Sequence, residues 1–458
     1  MADEFTLREF SQFLAEPLER VREWRSLGLI GRESAETFGP EDMQRARLIR
    51  LLLRRGVPLE AIAQAEQEQR FLARYIELLF PAGVRPMHSL AEASAMLGKS
   101  ADVVRRFWEV AGVADQGELV DDEDVQALKA VGVALEAGFP EEAMTELARV
   151  YVDALGRVAE AEVRLFHFYV HERLKAQGLS GRQLIEASDA AGDRTAPLVE
   201  PLVMYFHRKG FARAIREDAV MHLQEDAGLV ASTQVPGQLP AAVVFVDLSS
   251  FTPLTVAMGD QVAAQVLERF SRLVREAVSR WEGRVVKQIG DAFMLVFPEP
   301  GSAVACAVEI DGCAAEEPQF PSVRSGTHWG QVLYREGDYL GATVNVAARL
   351  AAEAQRHQAL VTAAVRREAK GLQDLEFVPL GTRRLKGLAD EVELFEVVGR
   401  ARGRATERLA DPVCGMELGA AEAAARLSLG GRERVFCSQE CLQRFVAAPE
   451  RYAGGAAS

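Results

Sequence analysis

RVVKQIGDAFMLVF, residues 284–297, decides the fold. Two runs of strand-forming residues, RVVKQI and AFMLVF, flank Gly290-Asp291, and a Gly-Asp pair between such runs signals a tight hairpin. The hairpin carries the Asp291 carboxylate to the end of a sheet. A second carboxylate emerges from AAVVFVDL (241–248), a buried apolar run that ends in Asp247 and turns through SSFT into a helix. Taken singly, each aspartate reads as structural, Asp247 as a helix cap and Asp291 as a turn residue. On neighbouring strands the two can instead hold two divalent ions roughly 3.5–4 Å apart.

Outward from the hairpin, the runs VRSGTHWGQVLY, ALVTAA, LEFVPL and VELFEVV alternate with helical stretches. That order predicts an α+β domain with an antiparallel sheet over 238–400. Gly, Pro, Ser and Thr in GLVASTQVPGQLP (228–240) mark its N-terminal boundary, and RARGRATERLA (400–410) separates it from a cysteine-bearing C-terminal segment. Upstream, residues 1–225 place Leu, Ala, Glu and Arg at three- and four-residue spacings, which predicts an all-helical half with breaks at GLSGRQ (178–183) and near AAGDRTAP (190–197). An internal echo at an offset of 82 to 84 residues sets Trp24 against Trp108, Gly28 against Gly112, Gly56 against Gly138 and Pro58 against Pro140. Two similar helical units in tandem are the expectation.

Composition narrows the function classes. With 458 residues, several domains are expected. No apolar run reaches the roughly 18 residues of a membrane helix, and the N-terminus MADEFTLREF has neither a basic start nor an apolar core, so no membrane span and a cytoplasmic location are expected. The formal charge of -14, from 53 Lys and Arg against 67 Asp and Glu, opposes a nucleic acid as main partner. Cys306 and Cys313, seven apart in a helical stretch, read as small buried hydrophobes. His167 and His171 in RLFHFYVHERL are spaced for a metal or a pH-sensitive pair, or are two ordinary solvated histidines.

FVDLSSFT, VVKQIGDAF, GDYLGATVNVAARL and LKGLADEVELFEV occur in that order and resemble the signatures of the class III adenylate and guanylate cyclases across the whole of 238–400. The resemblance implies a ferredoxin-like palm domain that converts ATP to 3',5'-cyclic AMP and pyrophosphate. By the same resemblance, Asp247 and Asp291 hold two Mg2+ or Mn2+ ions, Lys287 and Asp338 read adenine, and Lys386 contacts the triphosphate. Asn345 and Arg349 match the residues that orient the ribose and stabilise charge on the phosphate. Four residues apart, they project from one face of one helix, and arginine's planar fork suits the phosphate. A lysine that donates and an aspartate that accepts fit adenine and oppose guanine, so ATP is expected over GTP. Metal-binding and base-reading groups come from opposite subunits in this family, which implies a homodimer. Ser250 stands where many relatives have glycine, and Trp329 is bulkier than the residue common after the strand histidine; both predict an altered rate. QIGDAF is not the GGDEF-type turn of a diguanylate cyclase.

Around this domain, residues 1–70 resemble a MerR-like helical module, and 85–225 a second such module followed by a helical regulatory region like those that precede actinobacterial cyclase domains. The apolar and acidic character of 12–19 favours protein contact over DNA contact. DPVCGMELG and RVFCSQECLQRFVAAPERY, within 409–453, resemble a YHS domain, a metal-associated module. Cys414, Cys437 and Cys441 there offer thiolates to Zn2+ or Cu+, or are free thiols of a packed module; no histidine follows His357, so a fourth ligand would be a carboxylate, water or another chain. Two rival readings remain at this level: a guanylate cyclase, and a metal-responsive MerR-like transcription regulator that uses the cyclase-like domain to dimerise.

Overall fold

The computed structural model describes residues 4–31, 37–80, 87–98, 101–110, 119–228, 235–369, 372–388, 390–399 and 408–452. The chain divides into two compact units, Met1–Val230 and Ala231–Ser458.

Within the first unit the order of elements repeats. A short strand, Phe5–Thr6, leads into helices Leu7–Leu14 and Leu18–Ser26, pairs with Thr37–Phe38, and is followed by helices Pro40–Arg54 and Leu59–Gln69. Strand Met87–Ser89, helices Leu90–Leu97 and Ala101–Val110, pairing strand Leu119–Asp121 and helices Asp122–Glu136 and Glu141–Phe166 repeat that plan. Matching caps start both copies: the Thr6 hydroxyl accepts from the Glu9 amide and the Ser89 hydroxyl from the Glu92 amide, each worth about 1 kcal/mol. Trp24 and Phe38 are fully buried in the first copy, where Phe38 stacks on Phe10 at 4.3 Å. Gly56 and Gly138 both take a left-handed backbone before the following proline. Gly112 and the Trp108 side chain lie outside the described residues, so half of the sequence echo is seen at this level.

The expected helix break at GLSGRQ is present, between Glu172–Ala176 and Gly181–Asp226. The one near AAGDRTAP is not. Helix Gly181–Asp226 runs 46 residues through Pro197 and Pro201. Each proline removes one ladder bond at a cost of about 3 kcal/mol, a loss the long flanking helix carries without ending.

The second unit is built on one eight-stranded sheet. Its path is Leu375–Arg383, Val392–Gly399, Ala359–Thr362, Val323–Arg335, Gln238–Leu248, Ala292–Phe297, Arg284–Ile289, with Asp338–Leu340 folded back on the end of Val323–Arg335. All pairs are antiparallel except Ala359–Thr362 with Val323–Arg335, so the sheet is mixed rather than purely antiparallel. The parallel pair arises because helix Ala342–Glu353 intervenes between those two strands and returns the chain in the same direction. Alternation along Gln238–Leu248 splits its side chains. Ala242, Val244, Val246 and Leu248 enter the main core under helices Phe251–Met258, Asp260–Arg280 and Pro300–Glu316. Cys306 is fully buried in that core, and its thiol is held far above the usual range by burial, as expected of an inert hydrophobe; Cys313 is half-buried.

The C-terminal segment is not an appendage. Strand Met416–Leu418 pairs with Phe320–Pro321 of the catalytic fold, and Cys414, Phe436 and Phe445 belong to the same apolar core as Val246 and Phe270. His357 clamps the junction: Nδ1 lies 2.6 Å from Asp311 and Nε2 2.6 Å from Glu417. Burial alone would lower the pKa of this imidazole, but the two carboxylates win and push it up to about 9.

Candidate active site

The opposite face of Gln238–Leu248, with Val243, Phe245 and Asp247, is covered in part by Ala347 and Tyr339. The remainder carries the polar groups. Asp247 is directly opposite Ala292 on one neighbour and Arg324 on the other. Asp291 closes the two-residue hairpin beside it, where Gly290 takes a left-handed backbone. Burial and the nearby Asp247 charge push the Asp291 carboxyl up to about 6. Two such carboxylates repel until a cation joins them. Part of that compensation is already present, because Arg324 places Nη2 at 2.6 Å and Nε at 3.0 Å from Asp247 Oδ2.

Lys287 shares this face through its pairing with Met294. A register shift between Val285 and Lys287 leaves one residue extra on that strand and re-aims the lysine. Its ammonium forms an ion pair with the Asp338 carboxylate, which the short Asp338–Leu340 strand brings across the sheet. Asp338 Oδ1 also accepts from the Tyr339 amide at 2.8 Å. Helix Ala342–Glu353 buries Thr343, Ala347, Leu350 and Ala351 and leaves Asn345 and Arg349 exposed one turn apart. Gly326 sets its seat: a Cβ there would lie 2.2 Å from the Ala351 nitrogen. Lys386, exposed in the turn after buried Leu385, makes no hydrogen bond to the other candidates among the described residues.

The chain therefore gathers three clusters: Asp247 with Asp291, Lys287 with Asp338, and Asn345 with Arg349. Sequence reading missed Arg324, whose place opposite Asp247 follows only from strand register. It also missed Asp411, within 4.8 Å of the thiols of Cys414, Cys437 and Cys441. The two unusual residues have structural roles. Ser250 adopts a left-handed backbone at the start of helix Phe251–Met258, the conformation that favours glycine, and its hydroxyl accepts from Arg356 at 2.7 Å. Trp329 packs half-buried against the core. In the first unit, His167 and His171 lie on a single π-helical turn, a departure from the regular helix expected there; their rings stack at 5.4 Å, and together with Glu172 they form a second group able to hold a metal ion.

A palm sheet with paired aspartates at a hairpin, a lysine–aspartate pair and an Asn-x3-Arg helix defines the catalytic domain of a nucleotide cyclase. The chain belongs to the adenylate and guanylate cyclase family, and the model for the Adenylate and Guanylate cyclase catalytic domain matches residues 235–399. Models for an adenylate cyclase regulatory domain, a MerR HTH family regulatory protein and a YHS domain match 39–208, 5–69 and 409–456. The chain is 33% identical over 388 residues to an uncharacterized protein of Mycobacterium tuberculosis, an alignment that spans 83% of this chain and 96% of that one. To an adenylate cyclase of Glutamicibacter nicotianae it is 29% identical over 313 residues, 65% of this chain and 75% of the relative. A solved Trypanosoma brucei adenylate cyclase structure is similar at 26% identity and a TM-score of 0.34, over 38% of this chain and 94% of that one. Among the described residues no helix is long and apolar enough to cross a membrane.

Proposed function

We propose that the enzyme converts ATP to 3',5'-cyclic AMP and pyrophosphate at paired sites of a head-to-tail homodimer. The observation that carries this reading is the Lys287–Asp338 pair, a donor beside an acceptor, on the same open sheet face as Asp247 and Asp291. Adenine accepts at a ring nitrogen and donates from its exocyclic amine, which this pair matches; guanine presents the reverse.

Asp247 and Asp291 fit a pair of Mg2+ or Mn2+ ions, since two adjacent carboxylates, one of them resisting ionisation, make a site that a cation stabilises. When bound, such ions supply Lewis-acid stabilisation of the attacking ribose 3'-oxygen and of the phosphates. The chain's own groups do the rest. Lys287 and Asp338 fix the base, Asn345 orients the ribose, Arg349 meets the negative charge that develops on the α-phosphate, and Lys386 holds the triphosphate. Arg324 pairs with the Asp247 carboxylate and holds it in place beside the hairpin.

Two observations support assembly of the site from two copies. Ile289 and Leu340, on the strands that bear Lys287 and Asp338, are 52% and 47% exposed, apolar surface suited to a partner. Asn345 and Arg349 also point to solvent on a helix whose other face is sealed.

A cyclic-nucleotide assay with ATP and with GTP, in Mg2+ and in Mn2+, tests the reading. Product from ATP in preference to GTP, lost in Asp291→Ala, is expected. Exchange of donor for acceptor, Lys287→Glu with Asp338→Ser, should move the ratio toward GTP. A wild type that turns over neither nucleotide yet binds duplex DNA would defeat it in favour of the transcription-regulator reading.

A further inference from the structure

The thiols of the C-terminal module face a fourth sulfur from the catalytic fold. Cys414 Sγ is 3.5 Å from Cys437 Sγ, which is 3.7 Å from Cys441 Sγ. Cys441 Sγ in turn lies 3.9 Å from Met258 Sδ, at the C-terminal end of helix Phe251–Met258. Four sulfurs arranged tetrahedrally at a metal–sulfur distance of about 2.3 Å have edges of about 3.8 Å. The three observed spacings bracket that value.

Asp411 is the other nearby donor, but its carboxylate is already engaged. Oδ1 accepts from the Val413 amide at 2.8 Å and the Cys414 amide at 3.4 Å, and Oδ2 from the Cys437 amide at 2.8 Å. It shapes the two cysteine loops from behind. Charge also points to a cation among the sulfurs. Cys441 lies in the first turn of helix Gln439–Ala447, where the helix dipole favours a thiolate.

We propose that Met258 is the fourth ligand of a Cu+ site completed by Cys414, Cys437 and Cys441. A thioether is a poor donor to Zn2+ and a good one to Cu+, so this methionine selects the softer ion. The site is closed only because the module is docked. It also bears on catalysis by position, since Met258 ends the helix that begins at Phe251, four residues after Asp247. At the other end of that helix Gly415 is packed so closely that a Cβ there would lie 2.5 Å from the Ser250 Cβ. A loaded site therefore grips the Phe251–Met258 helix at both ends.

The test uses the full-length chain under anaerobic conditions and reads binding, so its outcome is separate from whether ATP is the substrate. Cu+ affinity is measured by competition with the chromophoric chelator bicinchoninate, and Zn2+ affinity by competition with a zinc indicator. One Cu+ per chain is expected, with X-ray absorption showing sulfur-only coordination. Met258→Leu keeps the packing volume; it should weaken Cu+ binding 10- to 100-fold, remove one sulfur scatterer and leave Zn2+ affinity within about twofold. Unchanged Cu+ affinity and sulfur count in Met258→Leu would overturn the proposal, as would a wild type that takes Zn2+ but no Cu+. Cys441→Ser serves as a second variant, expected to abolish binding, with circular dichroism confirming the fold.

Discussion

Asp291 bears a conflict between stability and activity. Its carboxyl is raised to about 6, so above that pH the folded state holds a half-buried charge against Asp247. Asp291→Asn removes the repulsion and should stabilise the protein at pH 7.5 by about 1 kcal/mol once solvent screening is allowed for, visible as a higher melting temperature. The same variant should lose at least about 100-fold in cyclase rate, because half of the cation site is gone. His357 gives the opposite pH dependence. Its folded pKa of about 9 exceeds the ordinary 6.5, so its contribution is complete below pH 6.5, declines as pH rises, and is lost above 9. It amounts to on the order of 3 kcal/mol at most. Melting temperature should fall across that window in the wild type and stay flatter in His357→Gln. Of these residues, both aspartates were legible, because Asp247 ends a strand-like run and Asp291 sits in the turn between two such runs. Arg324, His357 and Met258 were not, since their partners are 77, 46 and 183 residues away and only register and docking bring them together.

At the scale of elements, seven strand-like runs of the catalytic domain were legible from β-branched and aromatic composition, and each became a strand. The three-residue Asp338–Leu340 strand was not, because GDYLG is too short to show alternation; it exists through pairing with Leu333, Tyr334 and Arg335. The proline-bearing helix Gly181–Asp226 is the reverse case, where local breakers misled because a helix of that length tolerates two missing bonds. Helix Ala342–Glu353 shows how packing positions chemistry. Gly326→Ala would drive a methyl into the Ala351 backbone, and the helix bearing Asn345 and Arg349 must shift to relieve it. About 1–3 kcal/mol of stability should be lost. The rate should fall far more than the melting temperature suggests, with kcat reduced more than KM is raised, which steady-state kinetics with cyclic AMP detection would show.

For the molecule as a whole, head-to-tail assembly makes a quantitative prediction. Asp291→Asn and Arg349→Ala should each be inactive alone. Mixed in equal amounts, half of the random dimers pair one of each, and each such dimer has one intact site of two, so about a quarter of wild-type activity should return. Recovery absent from mixtures that are shown to exchange subunits would mean that each copy is self-sufficient. The domain order was legible in changes of texture along the chain, from helical spacing to strand runs to cysteines. The integration of the last segment was not, because nothing in a cysteine-rich motif announces that its strand Met416–Leu418 pairs with a short strand of the catalytic fold, Phe320–Pro321.

That strand addition changes what counts as the catalytic unit. Recombinant forms cut after residue 400, the natural choice from sequence, would leave the Phe320–Pro321 edge unpaired and bare the apolar floor on which Val413 and Phe445 rest. Such fragments should aggregate or need a solubilising partner, and low activity in them would reflect a missing wall rather than a missing regulator.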